Sequence, residues 1–330
     1  GLETDLRQLL RYKVSATLVA VGGVFLPFVL GAAATVALGF AASFTDPVAL
    51  FMGAIMTATS VGITARVLSD QGKLNSPEGV TVMGAAVVDD VLGIMVLTVA
   101  VGIGATGHVS LGNVGWVSLK AVLFWLGLTG LGILLASRIS RFFSAFKVSG
   151  AALALALALA FLSSALAESF GLAMIIGAYS IGLAISQTPL ARNLEEGVNS
   201  VYYALVPIFF VVMGMLVNVS AMREAVLFGV VITLLAILGK VAGCGVAAIG
   251  TGFNLRGAWR IGIGMLPRGE VALIIAGVGL SRGVIQEDLF GVSIMMTVVT
   301  TLMAPIIMVS AFGKGGSGRR AVKASGVPGS

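Results

Sequence analysis

Charged residues are scarce in this sequence, and their scarcity excludes an ordinary soluble domain. Only 10% of the 330 residues are charged, whereas 58% are hydrophobic. A soluble domain carries roughly 25% charged residues, so this chain has too little polar surface to cover a water-facing exterior. Together with a mean hydropathy of +1.08, the composition predicts that lipid surrounds most of the molecule.

Cysteine and histidine are nearly absent, which excludes several kinds of site. The single Cys244 allows no intramolecular disulfide and no cysteine metal cluster, and the single His108 allows no histidine cluster. The chain has no HExxH motif and no Gly-x-Ser-x-Gly elbow in a suitable setting, so a membrane-embedded enzyme is strongly disfavoured. The sequence therefore predicts no cofactor.

Long apolar segments make up most of the chain. A spanning helix needs roughly 20 apolar residues, and ten segments satisfy this requirement: 14–40, 47–68, 77–104, 113–139, 149–167, 171–187, 198–217, 223–249, 257–280 and 287–312. The predicted fold class is an all-α membrane protein of about ten transmembrane helices. The 45 glycines fit this prediction, because small residues let helices in a membrane approach closely.

The chain divides into one membrane domain and a short tail. Residues 1–312 are predicted to form the transmembrane domain, with core helices at about 47–104 and 223–312. Residues 313–330 are rich in Gly, Ser and basic residues, which predicts a disordered basic tail. The first residue is Gly1, no signal peptide is present, and the opening residues resemble the exit from a helix. We therefore expect earlier helices to be missing from the chain.

The basic residues predict the orientation. With ten spans, one side of the membrane receives only Arg223 and Arg282. The other side receives Arg7, Arg11, Lys13, Arg66, Lys73, Arg138, Arg141, Lys147, Arg192, Arg256, Arg260, Lys314, Arg319, Arg320 and Lys323. The positive-inside rule then places both chain ends in the cytoplasm, in a plasma (inner) membrane. These residues are spread over short loops rather than one patch, so the net charge of +6 does not indicate nucleic-acid binding.

Five ionisable residues lie deep within the predicted spans. Each would cost roughly 2.5–3.5 kcal/mol or more at the centre of a membrane helix, so they must face one another or water inside the bundle. They are Asp89, Asp90, Lys240, Arg268 and Glu270. Asp89 and Asp90 are adjacent and point about 100° apart on a helix. One can therefore meet a basic partner such as Lys240 while the other faces a water-filled path.

Two spans carry signals for a break in mid-membrane. Hydroxyls and glycine weaken residues 57–64, which include Thr59 and Ser60, and Pro267 interrupts residues 264–270. Arg268 and Glu270 can balance the partial charges of the half-helix ends. The first three and the last three spans each have a break in the middle one and start on opposite sides. This inverted repeat is typical of secondary transporters with a site at the midplane.

Four segments resemble the cation:proton antiporter-2 family, and bacterial sodium/proton antiporters in particular. They are ATSVGITAR at 58–66, VDDVLG at 88–93, ILGK at 237–240 and PRGE at 267–270, and the resemblance runs in order to about residue 313. It implies the sodium/proton antiporter fold, with two crossing broken helices in a core domain that moves against a dimerisation domain. It also implies that this chain lacks the family's first helices and is a homodimer when intact.

The resemblance also implies roles for single residues. Asp90 would carry the sodium ion or protons, Asp89 would pair with Lys240, and Thr59 and Ser60 would lie on the unwound stretch near the site. The implied activity is alternating-access exchange of sodium or lithium for protons, within membrane lipid. Residues 166–172 also resemble the potassium-efflux branch, so potassium/proton exchange is an alternative. A passive cation channel with an acidic pore is a further, less favoured one.

Overall fold

Helices form nearly all of the chain that is described. The computed structural model describes residue 2, residues 13–106, 111–146, 148, 150–170, 174–215, residue 220, and residues 225–313 and 315–320. Within these ranges the helices are α1 Lys13–Ala37, α2 Pro47–Ile55, α3 Val61–Asp70, α4 Pro77–Thr106, α5 Leu111–Ala145, α6 Ala151–Ser169, α7 Met174–Ser186, α8 Leu190–Met215, α9 Val226–Gly250, α10 Leu255–Gly264, α11 Glu270–Ser281 and α12 Glu287–Gly313. No strand occurs in these ranges, so the all-α prediction is confirmed.

Each predicted apolar segment corresponds to one helix or to a pair of half-helices. The segments 47–68 and 257–280 are the two that divide, into α2 and α3 and into α10 and α11. Six of the described helices are long and apolar enough to cross a membrane: Lys13–Ala37, Pro77–Leu97, Val122–Phe143, Ala151–Ser169, Val226–Gly250 and Glu287–Gly313. The chain is therefore a multi-pass membrane protein, and the count of ten spans stays a prediction.

Helix α8 begins well before the predicted start at residue 198. Its first turns are amphipathic, because Leu190 and Leu194 are buried while Arg192, Glu195 and Glu196 are exposed. A prediction based on continuous apolar sequence misses such a stretch, since only one face of the helix is apolar. The polar face lies at the end of the helix, where it can meet water or lipid headgroups.

Helices α1 and α9 pack closely against each other. A Cβ atom added at Gly22 would overlap the carbonyl group of Gly243, and one added at Gly243 would overlap the carbonyl group of Gly22. One residue further along α1, Gly23 lies against the side chain of Cys244. Small residues at such crossings let the two backbones touch. This contact places α1 directly over the middle of α9, where Lys240 lies.

Buried side chains separate the helices into two groups. One group consists of α1–α4 and α9–α12, which share two clusters that include Phe51 and Phe290 in one and Ile261 and Phe312 in the other. The second group, α5–α8, has its own cluster around Phe143. In the apolar stretch of α5 only 17% of residues are buried, against 56% in that of α4. The buried charged residues Asp89, Lys240 and Arg268 belong to the densely packed first group.

The strap, as we call residues 315–320, follows α12 within the tail that the composition predicts to be disordered. Its backbone pairs with the loop between α9 and α10: Asn254 N donates to the carbonyl of Gly318 at 2.9 Å, and Arg320 N donates to that of Gly252 at 3.1 Å. The Asn254 amide also donates to the carbonyl of Ser317 at 3.0 Å. Three of the six residues of the strap are glycines, which lets its backbone lie close to the loop. Residues 321–330 lie outside the described part.

Candidate ion-binding site

The first break separates α2 from α3. Asp46 caps the start of α2 by accepting a hydrogen bond from Val48 N, and Pro47 supplies the first helical residue. The helix ends at Ile55, and the next five residues, 56–60, are all buried without being helical. In this stretch the Thr57 hydroxyl donates to the carbonyl of Ala54 at 2.8 Å. Hydroxyl side chains thus replace part of the interrupted helical bonding.

The second break separates α10 from α11 and crosses the first. Residues 265–269 are buried and non-helical, because Pro267 has no N–H to continue the helix. Ser60 N donates to the carbonyl of Pro267 at 2.7 Å, and Thr59 Oγ1 donates to that of Met265 at 3.3 Å. Non-helical backbone is tolerated at membrane depth only where protein surrounds it. Here each break supplies hydrogen-bond partners for the other.

The crossing leaves room for nothing larger than glycine at residue 269. A Cβ atom there would lie 2.9 Å from both Cβ and Oγ of Ser60, whereas a Cβ atom at Gly62 in α3 would meet nothing within 4 Å. We expect Gly269→Ala to push the breaks apart and to destabilise the protein by about 1–3 kcal/mol. Gly62→Ala, the matched control, should be neutral or slightly stabilising, because alanine favours the helix. Thermal unfolding in detergent measures both variants, and equal melting temperatures would contradict this packing.

Arg268 lies fully buried in the second break. Nη1 donates to the carbonyl of Ala58 at 3.0 Å, and Nη2 donates to that of Ala236 at 3.3 Å. The Thr301 hydroxyl donates to the Arg268 carbonyl. The guanidinium therefore lies at one carbonyl that follows the end of α2, where a positive charge is favoured, and at one carbonyl within α9. Its Nε has no hydrogen-bond partner within the described residues. Glu270 begins α11, and its side chain lies outside the described part.

A buried ion pair connects α4, α9 and the first break. Lys240 Nζ lies 2.8 Å from Asp89 Oδ1, and the two side chains are 0% and 1% exposed. The same ammonium donates to the carbonyl of Thr57 at 2.5 Å. Helix α1 covers the pair, because a Cβ atom at Gly23 would lie 3.6 Å from Lys240 Nζ. A buried charge needs such a partner and additional hydrogen bonds to offset its lost hydration.

Asp90 differs from Asp89 in its surroundings. It follows Asp89 in α4 and projects about 100° away around the helix. Asp89 is buried, whereas Asp90 is partly exposed. The structure thus brings Asp89 and Lys240 to the break that contains Thr59 and Ser60, both buried, and places Asp90 beside them on another face of α4. No group of three His, Cys, Asp or Glu residues that could hold a metal ion occurs in the described ranges.

One pair of charged residues was not anticipated as a buried pair. The sequence pattern counts Arg260 among the loop residues, but the structure places it in α10, where its Nη1 lies 2.8 Å from Oε1 of Glu78. Both side chains are almost fully buried. A usable signal was present, because Glu78 and Arg260 have opposite charges and each lies near the start of a predicted span. Hydropathy alone does not distinguish such residues from loop residues.

The sequence and the fold of this chain are similar to those of known proteins. Residues 1–312 match the family described as "Sodium/hydrogen exchanger, transmembrane". The Na(+)/H(+)-K(+) antiporter GerN of Bacillus cereus is 38% identical over 95% of this chain and 79% of that protein. The high-affinity Na(+)/H(+) antiporter NhaS3 of Synechocystis is 37% identical over 92% of this chain and 66% of that protein. The sodium proton antiporter MjNhaP1 from Methanocaldococcus jannaschii has the same fold, with a TM-score of 0.70 at 19% identity over 94% of this chain and 79% of that one.

Proposed function

The chain belongs to the sodium/hydrogen exchanger family, and from this premise we propose that it exchanges sodium or lithium ions for protons by alternating access. The observation that carries the proposal is the buried Asp89–Lys240 pair, bonded to the crossing of two broken helices and next to the partly exposed Asp90. Such a charge cluster inside a membrane protein is costly, and it is typical of ion and proton pathways.

Asp90 is the group that binds either a sodium ion or a proton. A carboxylate is a hard oxygen ligand, which suits a small hard cation. The breaks supply further oxygens, namely backbone carbonyls and the hydroxyls of Thr59 and Ser60. Because the ion and the proton compete for the same carboxylate, the site carries one or the other across the membrane. This competition by itself couples the flow of sodium to the flow of the Asp90 proton.

The Asp89–Lys240 pair contributes the second proton. In the same step, Lys240 releases its proton when sodium replaces the proton of Asp90, while Asp89 stays in place. One proton leaves Asp90 and one leaves Lys240, so two protons exchange for one sodium ion and net charge moves. Arg268 and Glu270 have the supporting role of balancing the half-helix ends.

Finer assignments belong to the same proposal. The four segments that contain Thr59, Asp90, Lys240 and Arg268 support membership of the cation:proton antiporter-2 branch. The bonds between the strap and the loop before α10 support an arrangement in which the end of α12 and the start of α10 share one side of the membrane. We assign that side to the cytoplasm of a plasma membrane by the positive-inside rule. We assign the lightly buried face of α5 and α6 to lipid or to a second copy in a homodimer.

Ion replacement in proteoliposomes tests the proposal. The vesicles contain a pH dye, and sodium, lithium or potassium chloride is added outside while a second dye reports membrane potential. We expect sodium and lithium to drive proton movement and to change the potential. A response to potassium alone would favour the second candidate, potassium/proton exchange, which is worth testing because the relative GerN is a Na(+)/H(+)-K(+) antiporter. Cation flow without uphill proton movement would indicate a channel and contradict exchange.

A further inference from the structure

A buried arginine outside the candidate site joins three parts of the core. Arg260 in α10 pairs with Glu78 in the first turn of α4 at 2.8 Å, and their side chains are 6% and 4% exposed. Its Nε donates to the carbonyl of Ala311 near the end of α12 at 3.1 Å, and its Nη1 donates to that of Gly316 in the strap at 2.9 Å. A single guanidinium therefore connects two helices and the strap to α10.

Gly318 shows how closely the strap fits this pair. It is buried, and a Cβ atom there would lie 2.7 Å from Cα of Gly257 and would overlap Oε1 of Glu78. A Cβ atom at Gly315, three residues earlier in the same strap, would meet nothing within 4 Å. A methyl group at residue 318, but not at residue 315, must therefore lift the strap from Glu78 and α10.

Helices α4 and α10 run side by side from this pair toward the candidate site. Val82, one turn after Glu78, packs on Gly264, one turn after Arg260, because a Cβ atom at Gly264 would lie 2.9 Å from Val82 Cγ2. Asp89 lies about 16 Å along α4 from Glu78, at 1.5 Å per residue. The second break begins immediately after Gly264. A shift of α4 along α10 would therefore move Asp89 and Asp90 relative to the crossing of the breaks.

We propose that Arg260 is a positioning residue for the ion site and that the strap, docked on the Glu78–Arg260 pair, holds α4 in register with α10. The proposal rests on the proposed function, since Arg260 acts on the ion only through the position of α4. The planar guanidinium allows this role, because it donates hydrogen bonds to Glu78, Ala311 and Gly316 at the same time. A lysine would keep the charge opposite Glu78 but would lack the fixed fork.

Two measurements on the full chain in detergent test the proposal. Hydrogen exchange reports whether the backbone amides of the strap and of residues 252–258 are protected. The sodium concentration that gives half of the maximal thermal stabilisation reports ion binding. We expect Gly318→Ala to speed amide hydrogen exchange in the strap. We also expect it to raise the sodium concentration for half-maximal stabilisation about fivefold, within the range found for coupling between distant sites. Arg260→Lys should raise it similarly, and the double variant should add little, because both act through one contact.

The matched control and the alternatives make the outcome decisive. Gly315→Ala should match the wild type in both measurements. A merely structural contact would lower the melting temperature without sodium but leave the sodium concentration for half-maximal stabilisation unchanged. This result in Gly318→Ala would overturn the proposal. Unprotected strap amides in the wild type would overturn it as well. If the variants raise the sodium concentration as expected but the wild type moves no protons in vesicles, the positioning role is supported and the proposed exchange is contradicted.

Discussion

Replacing Asp90 by asparagine should abolish sodium-driven proton movement and leave the protein folded. Asparagine keeps the size of the side chain, but it has neither the negative charge that holds a cation nor a proton to release. Because Asp90 is partly exposed while Asp89 bonds to Lys240, the substitution leaves the buried pair intact. In proteoliposomes with an internal pH dye, we expect the sodium response of Asp90→Asn to fall to that of protein-free vesicles. The same variant should lose its stabilisation by sodium in detergent.

Asp70→Asn is the matched control for this experiment. Asp70 is the last residue of α3, its side chain is 63% exposed, and it pairs with Arg66 at 3.3 Å across one turn of the helix. An exposed pair of this kind contributes little to stability, so transport and melting temperature should match the wild type. If Asp90→Asn transports as well as Asp70→Asn, Asp90 is not the exchanging group and the competition mechanism is wrong.

The two breaks could be predicted because their causes are local. Proline removes a backbone donor wherever it stands in a helix, and clustered hydroxyls with a glycine weaken a helix from within the same few residues. The partners could not be predicted, since the Thr59 hydroxyl finds the carbonyl of Met265 more than half the chain away. Local chemistry therefore predicted interruptions within 57–64 and 264–270, and the structure has them at 56–60 and 265–269. Only the packed structure shows that the two breaks supply hydrogen-bond partners for each other.

The pairing of Asp89 with Lys240 could be predicted in part from the sequence. Five deep charges in an apolar chain must find one another, so a carboxylate–ammonium contact was expected. Helical geometry separates two adjacent aspartates by about 100° but does not say which of them faces the lysine. The resemblance supplied that choice, and the structure places Asp89 in the pair with both side chains fully buried. The transport roles of both aspartates stay predictions.

The contact of the strap with the Glu78–Arg260 pair could not be predicted from composition or hydropathy. A stretch such as KGGSGRR has the composition of a disordered tail, and only its fit against Gly257 and Asn254 orders it here. Likewise, a charged residue near the end of a span has the same hydropathy whether it is solvated or buried. Burial of Arg260 depends on Glu78, which is 182 residues away in the sequence.

Removing the charge of Lys240 alone should destabilise the protein more than removing the whole ion pair. Lys240→Met leaves the Asp89 carboxylate buried without its cation and the Thr57 carbonyl without its donor. Breaking a buried pair in this way costs about 3–5 kcal/mol, whereas replacing both partners by apolar side chains of similar size is often neutral. We therefore expect a large fall in the melting temperature of Lys240→Met and substantial recovery in Asp89→Leu/Lys240→Met. Lys13→Met, at an exposed position in the first turn of α1, is the control.

The double variant also separates the two proposed protons. With Asp90 intact but no lysine to release a proton, each sodium ion should exchange for a single proton, so pH would still change while the membrane potential would not. The two dyes in one vesicle preparation measure this directly, with the wild type as the charge-moving reference. A double variant that still changes the potential as the wild type does would remove Lys240 from proton transfer. Its bond to Asp89 would then serve only to hold α4 and α9 together at the first break.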